Sequence, residues 1–232
     1  MRAFKVHTIL LVIVLFAGCS PDEMVVNENE QPQVIDSVPQ SDSIPSHDDT
    51  DTTEVFGPNI LRDGGIEDWV SIIGYPNIWS TNDSRDVSQN RIIICEGLSS
   101  AKMKSRESGI TARIKQSIPI TPGSRIRIRF KYYIEQWKTN GARTYCYFRT
   151  GAAQSTNISI SELKEFYTDD EYYIFRGGGY GKAYLPHTLN TWLTFDETLT
   201  VPPTATHFEF GINSYHGTTI YIDDCYIGEA IE

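Results

Sequence analysis

Two neighbouring stretches of the chain alternate apolar and polar side chains with a period of two residues. The first, TARIKQSIPI, covers residues 111–120, and the second, SRIRIRFKYYIEQW, covers residues 124–137. A period of two is that of a β-strand with one buried face, and the TPG between them has the proline and glycine typical of a turn. Each stretch is therefore predicted to be a half-buried strand. In the second strand the buried face carries Ile126, Ile128, Phe130, Tyr132 and Ile134.

Shorter patterns of the same kind follow further along the chain. They are ARTYCYFRT, TWLTFDETLTV, THFEFGI and TTIYIDDCYIG, separated by Gly, Pro and Asn. One helix is predicted at SISELKEFY, where Ser159 and Glu162 have the spacing of a capping box. Many short strands with one short helix predict an all-β fold, an antiparallel β-sandwich, because each strand must bury its apolar face against a second layer.

Residues 1–19 have the composition of a secretion signal. Arg2 and Lys5 precede the apolar run ILLVIVLFA, which is far shorter than the roughly 20 residues that a membrane-spanning helix needs. LFAGCS at 15–20, which overlaps the end of this run, resembles the lipobox of bacterial lipoproteins. The resemblance implies cleavage before Cys19, acylation of Cys19 (palmitate being the usual acyl chain), and an outer-membrane lipoprotein exposed at the cell surface. An ordinary signal peptide or an uncleaved anchor is the alternative.

Residues 20–56 are predicted to form a disordered linker. They contain ten acidic residues, no Lys or Arg, and four prolines. Such a segment has too little apolar surface to offset the entropy of ordering its chain. The triplets DSV, DSI and DTT at 36–38, 42–44 and 51–53 resemble a bacterial O-glycosylation sequon, although the composition of the linker alone could produce them.

Residues 57–232 are predicted to form a single domain. Of the 30 acidic and 20 basic residues of the chain, this part keeps 20 and 18, so it is nearly neutral. A phosphate backbone requires a strongly basic face, and the composition therefore argues against a nucleic-acid partner. The length suits one domain with a substantial core.

The chemistry-bearing residues give no enzymatic signature. The chain has no G-x-S-x-G or H-E-x-x-H motif, and RGGGYGK at 176–182 lacks the first glycine of a phosphate-binding loop. Apart from Cys19, the cysteines are Cys95, Cys146 and Cys225, an odd number in apolar surroundings. They are expected to be small buried side chains, with one disulfide as the alternative. The chain is predicted not to be an enzyme.

An ordered set of motifs carries a family resemblance. The motifs are NILRDGGIEDW (59–69), PNIW (76–79), EGLSSAKM (96–103), the two alternating stretches, TWLTFDETLTVPPTATHFEFGI (191–212) and IYIDDCYIGE (220–229). Together they are similar to the galactose-binding-like jelly roll of carbohydrate-binding module families 4, 9 and 22, over about residues 57–229. The resemblance implies a non-catalytic module that binds a glycan, and it places Trp69, Trp79 and Trp192 in the core. The alternative is a protein-interaction, adhesion or assembly subunit that keeps the fold without binding sugar.

The resemblance also implies a structural Ca²⁺ where the two ends of the domain meet. Such modules commonly hold the ion through a carbonyl of a Gly-Gly turn, a Glu two residues later, and an Asp of the last strand. Calcium prefers six to eight oxygen ligands, and glycines let carbonyl groups turn inward. The alternative is that the carboxylates cap strands or face solvent. The corresponding residues here are Gly65, Glu67, Asp223 or Asp224, with Glu96 as a possible addition.

Aromatic residues off the core face are the candidates for ligand contact, because sugar rings pack on aromatic side chains. Two lie opposite the core row of the second strand, two flank Cys146, and two lie in the glycine-rich stretch. The alternative is that the long 149–190 region covers them. The six candidates are Tyr133, Trp137, Tyr145, Tyr147, Tyr180 and Tyr184.

Overall fold

The structure is a computed structural model. It describes residues 54–70, 76–82, 86–109, 111–167 and 184–231. Cys19, the three glycosylation triplets and Tyr180 lie outside the described residues. Within the described part, no helix has both the length and the apolar character needed to cross a membrane.

Ten strands in the described residues form two antiparallel sheets. The first sheet has the order β1-β4-β9-β6, with β7 also paired to β9, and the second has the order β2-β3-β10-β5-β8. The predicted all-β jelly-roll sandwich is confirmed. The strands are β1 Ser80–Thr81, β2 Val87–Asn90, β3 Ser100–Lys104, β4 Ala112–Pro119, β5 Arg125–Gln136, β6 Ala142–Thr144, β7 Tyr147–Arg149, β8 Trp192–Thr200, β9 His207–Ser214 and β10 Thr219–Glu229.

The predicted core face of β5 is confirmed. Its five apolar residues, from Ile126 to Ile134, are at most 2% exposed. Phe130 stacks on Phe195 of β8 and contacts Phe210 of β9, so this ring joins the two sheets.

On β4 the core-facing row includes the buried Gln116, whose side chain forms hydrogen bonds of 2.9 Å with both the amide and the carbonyl of Arg62. A polar side chain is tolerated there because its hydrogen bonds are satisfied.

The predicted helix is confirmed as α1, Ile160–Phe166. It begins with a capping box, in which the amide of Glu162 donates to Ser159 and the amide of Ser159 donates to Glu162. Leu163 is buried and anchors the helix to the core. A short 3₁₀ turn at Gln154–Thr156 precedes it.

The three cysteines of the domain are free thiols. Cys146 and Cys225 are buried as predicted, whereas Cys95 is half-buried. Burial raises the pKa of Cys146 to about 12 and the pKa of Cys225 well above its usual value. Because the thiolate is the reactive form, these two side chains act as small apolar groups.

The two ends of the domain lie side by side. Phe56 forms a bridge with Ala230, and the amide of Ile231 donates to Val55 at 2.8 Å. Glu54 forms an ion pair of 2.8 Å with Arg125 at the start of β5. The chain therefore enters the domain beside the end of β10.

The stretch 59–61 does not form a regular strand. Instead, Asn59 uses its side chain to bind the backbone of β10, donating to Cys225 at 2.8 Å and accepting from Ile227 at 3.0 Å. The amide of Ile60 also donates to Ile227 at 2.8 Å. The Asn59 side chain therefore makes hydrogen bonds to β10 that the backbone of a paired strand would otherwise make.

The prediction that the tryptophans lie in the core is confirmed for Trp79, whereas Trp69 lies at the edge of the core. Trp79 is 3% exposed and its indole donates to Asp63, while Trp69 is partly buried against the core. Trp192 is not a core residue. It is half-buried and packs on Tyr133, because the core row of β8 is formed by Leu193, Phe195 and Leu199, which alternate with it.

Candidate functional site

The segment 184–190 connects the two sheets at the end of the sandwich where β5 leads into β6. The amide of Leu185 donates to Ala142 of β6 at 3.0 Å, and the amide of Asn190 donates to Ile134 of β5 at 2.9 Å. The hydroxyl of Tyr132 donates to the carbonyl of Pro186 at 2.9 Å. This segment is therefore held against both sheets.

A pocket of about 890 Å³ lies along this segment. That size is within the range of small-molecule sites, roughly 300–1,000 Å³. Aromatic and apolar side chains form most of the wall, and a few polar groups from β8 and the turn after β5 complete it. The lining residues are Tyr132, Trp137, Asn140, Tyr184, Leu185, Pro186, His187, Thr194, Phe195, Asp196 and Glu197.

Trp137 forms a flat wall of the pocket together with His187. The two rings stack with centroids 4.2 Å apart and an angle of 5° between their planes. Trp137 also packs partly against the core, which fixes the pair. A rigid aromatic surface of this kind suits the apolar face of a sugar ring.

Two adjacent carboxylates of β8 provide hydrogen-bond acceptors at the pocket. Asp196 receives two hydrogen bonds from Arg127, at 2.8 and 2.6 Å, and this pairing lowers the pKa of its carboxyl group. Burial raises the pKa of Glu197, which lies on the core-facing row of the strand. The pocket therefore offers one fixed anion and one more easily protonated acid.

Of the six predicted ligand residues, the structure places Trp137 and Tyr184 together in this pocket. Tyr133 is not among the lining residues. It lies on the outer face of the second sheet, with Trp192 and Tyr221 at ring distances of 5.7 Å. β5 ends at Gln136, so the strand alternation that relates Tyr133 to Trp137 no longer applies at Trp137.

Tyr145 and Tyr147 belong to the first sheet. Tyr145 is 6% exposed and lies under the guanidinium group of Arg113, and the Tyr147 ring meets it edge-on at 5.1 Å. Tyr147 pairs with Glu209 of β9 on the outer face, since its neighbour Phe148 is in the core. These two rings therefore lie on a different surface from Tyr133.

Several lining residues were not predicted from the sequence, among them Asn140, His187 and Glu197. For His187 and Asn140 the sequence has no periodic signal, because both lie outside strands. Glu197 does have one. In TWLTFDETLTV it interrupts the apolar row of Leu193, Phe195 and Leu199, and a carboxylate in an apolar row indicates a special environment.

The predicted calcium residues lie where the domain ends meet. Glu67 accepts from the amide of Leu98 at 2.7 Å and from the hydroxyl of Ser99 at 2.9 Å. Asp223 is fully buried and accepts from the amides of Cys95 and Glu96 at 2.8 and 3.1 Å. Both carboxylates thus hold the loop 95–99, which supports the expected meeting of the two ends.

The oxygens at this junction only partly fit a calcium site. Burial raises the pKa of Asp223, and repulsion from the nearby Glu67 carboxylate raises it further. A bound cation would counteract this repulsion. The amide of Asp224 donates to Asp223, and Gly64 rather than Gly65 turns its carbonyl to β10. Among the described residues, no group of three or more His, Cys, Asp or Glu side chains is arranged to hold a metal ion. Calcium stays a prediction.

Comparison with solved structures finds domains of similar fold. The enzymatically active domain of bacteriophage CBA120 tailspike protein 4 is 14% identical, with a TM-score of 0.48, over 74% of this chain and 21% of that chain. A family 16 carbohydrate-binding module is 13% identical, with a TM-score of 0.46, over 75% of this chain and 100% of that chain. A family 22 xylan-binding domain from Paenibacillus barcinonensis is 8% identical, with a TM-score of 0.44, over 77% and 97%.

These likenesses concern the fold alone. No family model matches the sequence, and no curated protein matches it. A shared sandwich hosts many functions, so the function has to be argued from the pocket and its residues.

Proposed function

We propose that this chain is a non-catalytic carbohydrate-binding module whose sugar site is the pocket at Trp137. The observation that carries the proposal is the stacked wall of Trp137 and His187 in a pocket of about 890 Å³. Such a wall offers a flat apolar surface, and Asn140, Thr194 and Asp196 provide donors and acceptors for sugar hydroxyls. Few polar groups on a mostly apolar wall are typical of ligand sites.

The replacement Trp137→Ala is expected to weaken glycan binding by about tenfold or more, because the stacking surface is lost. The glycan is first identified with an array probed by the full chain, and its affinity is then measured by calorimetry. Tyr133→Ala is the matched control, since it removes a half-buried ring from the outer face of the second sheet. Tyr184→Ala tests the pocket independently, in case loss of Trp137 disturbs the core.

Equal losses for Trp137→Ala and Tyr133→Ala would contradict the assignment to this pocket. If no glycan binds while the chain captures a surface protein, the alternative role as an interaction or assembly subunit replaces it.

The array is run with calcium and with a chelator, and the thermal unfolding of the protein is measured in the same two conditions. A thermal midpoint that is the same in both would argue against a structural calcium held by Glu67 and Asp223.

We also propose that the domain is attached to the outer membrane through a lipid on Cys19 and is exposed at the cell surface. The lipobox resemblance of LFAGCS and the acidic linker 20–56 support this proposal. Cys19→Ser is expected to abolish incorporation of a palmitate analogue and to move the protein out of the membrane fraction, because the sulfur of Cys19 is the atom to which the lipid is attached. Cys95→Ser, which keeps the lipobox, serves as the control. Undiminished labelling of the Cys19→Ser variant would overturn the proposal.

A further inference from the structure

Two arginines lie in one row across the outer face of the first sheet. Asn213 of β9 is paired with Arg113 of β4 on one side and with Arg143 of β6 on the other. Neighbouring strands are about 4.8 Å apart, so the two arginine backbones are separated by about 10 Å. Asn213 is fully buried between them.

Each arginine is held by its Nε atom and by a tyrosine ring. Arg113 donates from Nε to Oδ1 of Asn213 at 2.7 Å, and its guanidinium group lies 3.8 Å from the centre of the Tyr145 ring. Arg143 donates from Nε to the hydroxyl of Tyr215 at 2.9 Å and lies 4.9 Å from that ring. These contacts fix the direction of both side chains before any ligand arrives.

Among the described residues, the terminal amino groups of both arginines have no hydrogen-bond or ion-pair partner. Within the part of the chain that the structure describes, neither guanidinium group has a carboxylate in ion-pair distance, and neither has a hydrogen bond from its terminal nitrogens. The other two cations of this face, Lys115 and Arg149, share the carboxylate of Glu209. Within the described residues, the row therefore carries two positive charges that no carboxylate compensates.

Paired N–H groups at the end of a fixed guanidinium match the two oxygens of a carboxylate or a sulfate. Tyr184 connects this row to the pocket, because its side chain lines the pocket and its ring lies 5.6 Å from the Arg143 guanidinium. A sugar chain that leaves the pocket past Tyr184 meets Arg143 first and Arg113 next.

We propose that Arg143 and Arg113 bind anionic substituents, carboxylate or sulfate, on a glycan whose neighbouring unit occupies the Trp137 pocket. The ligand class is therefore an acidic glycan. This inference rests on the proposed function, since the pocket must bind sugar for the arginines to read its substituents.

The test measures the affinity of the full chain for three polymers by affinity electrophoresis. Polygalacturonate supplies carboxylates, a sulfated galactan supplies sulfates, and a neutral galactan supplies neither. We expect at least one acidic polymer to bind about tenfold more tightly than the neutral one at low ionic strength, with the advantage shrinking as salt is added. The polymer that binds best identifies the anionic group.

Substitutions then distinguish the contribution of the arginines to the affinity from that of the pocket. Arg143→Gln and Arg113→Gln are each expected to lower the affinity for the acidic polymer by about tenfold, and to leave the neutral polymer unchanged. Arg143→Lys keeps the charge without the paired donors and should fall in between. Arg125→Gln removes the same charge from an exposed ion pair on the other sheet and is the control for net charge.

Two outcomes would overturn the inference while leaving the proposed function intact. One is equal binding of neutral and acidic polymers, abolished by Trp137→Ala. The other is a loss of affinity with Arg125→Gln that matches the loss with Arg143→Gln, which would show a general charge effect. If none of a wide range of glycans binds, the proposed function fails and the inference fails with it.

Discussion

Replacing Gly64 with alanine is expected to destabilise the domain by about 3 kcal/mol or more. A β-carbon at this position would lie 2.2 Å from the carbonyl oxygen of Cys225 and 2.5 Å from Nδ2 of Asn59. Both are held in place, because the amide of Cys225 donates to Gly64 at 2.8 Å and Asn59 donates to Cys225 at 2.8 Å. The backbone of β10 must move to admit a methyl group.

Gly65→Ala is the matched control for this prediction. The nearest atom to a β-carbon there is Cγ of Glu67 at 3.6 Å, an ordinary contact distance. Alanine restricts the unfolded chain more than glycine does, so this replacement should be neutral or stabilise by up to about 1 kcal/mol. Urea unfolding of the two variants measures the difference. Equal stabilities would mean that the turn and β10 are not in close contact.

The second large effect is expected from Glu209→Gln. Glu209 accepts from Arg149 at 2.6 Å and from Lys115 at 3.0 Å, and both it and Arg149 are 3% exposed. Removing its charge leaves the buried Arg149 without a carboxylate and beside a second cation. Breaking one partner of a buried ion pair typically costs about 3–5 kcal/mol.

Glu54→Gln provides the comparison for this ion pair. Glu54 pairs with Arg125 at 2.8 Å, but both side chains are substantially exposed. Pairs of this kind contribute at most about 1 kcal/mol, since water already solvates the charges. Urea unfolding again gives the free energies. A loss for Glu209→Gln that is no larger than the loss for Glu54→Gln would show that Arg149 is solvated or finds another partner.

Local features of the sequence predicted local features of the fold. The alternation over 124–137 predicted the buried row of β5, because the period of a strand is set by its own backbone. The capping box at Ser159 predicted the start of α1, because both of its hydrogen bonds join residues three apart. Neither inference required knowledge of the rest of the chain.

Long-range pairing could not be predicted in this way, and the candidate site depends on it. The alternation of apolar and polar residues predicts that Tyr133 and Tyr147 point away from a core, but it does not predict that they lie in different sheets. The row of Arg113 and Arg143 exists only because both strands pair with Asn213, which is 70 or more residues further along the chain.

The burial of Glu209 has a similar cause. In THFEFGI it alternates with two phenylalanines and would be assigned to an exposed face. Arg149 binds it at 2.6 Å, and the segment after β7 holds Arg149 in turn, through Asn157 at 2.8 Å and the carbonyl of Ala152 at 3.2 Å. The sequence pattern of a strand does not show whether residues from elsewhere in the chain cover its outer face.

The position of Glu54 beside Arg125 determines how the domain carries mechanical load. β5 begins at Arg125 and ends at Gln136, one residue before Trp137, so the entry point of the chain and Trp137 lie at opposite ends of a strand about 40 Å long. A pull between residue 54 and Trp137 is directed along β5 and its neighbour β10. The hydrogen bonds between these strands then share the force in shear and resist it together, instead of opening one after another like a zipper.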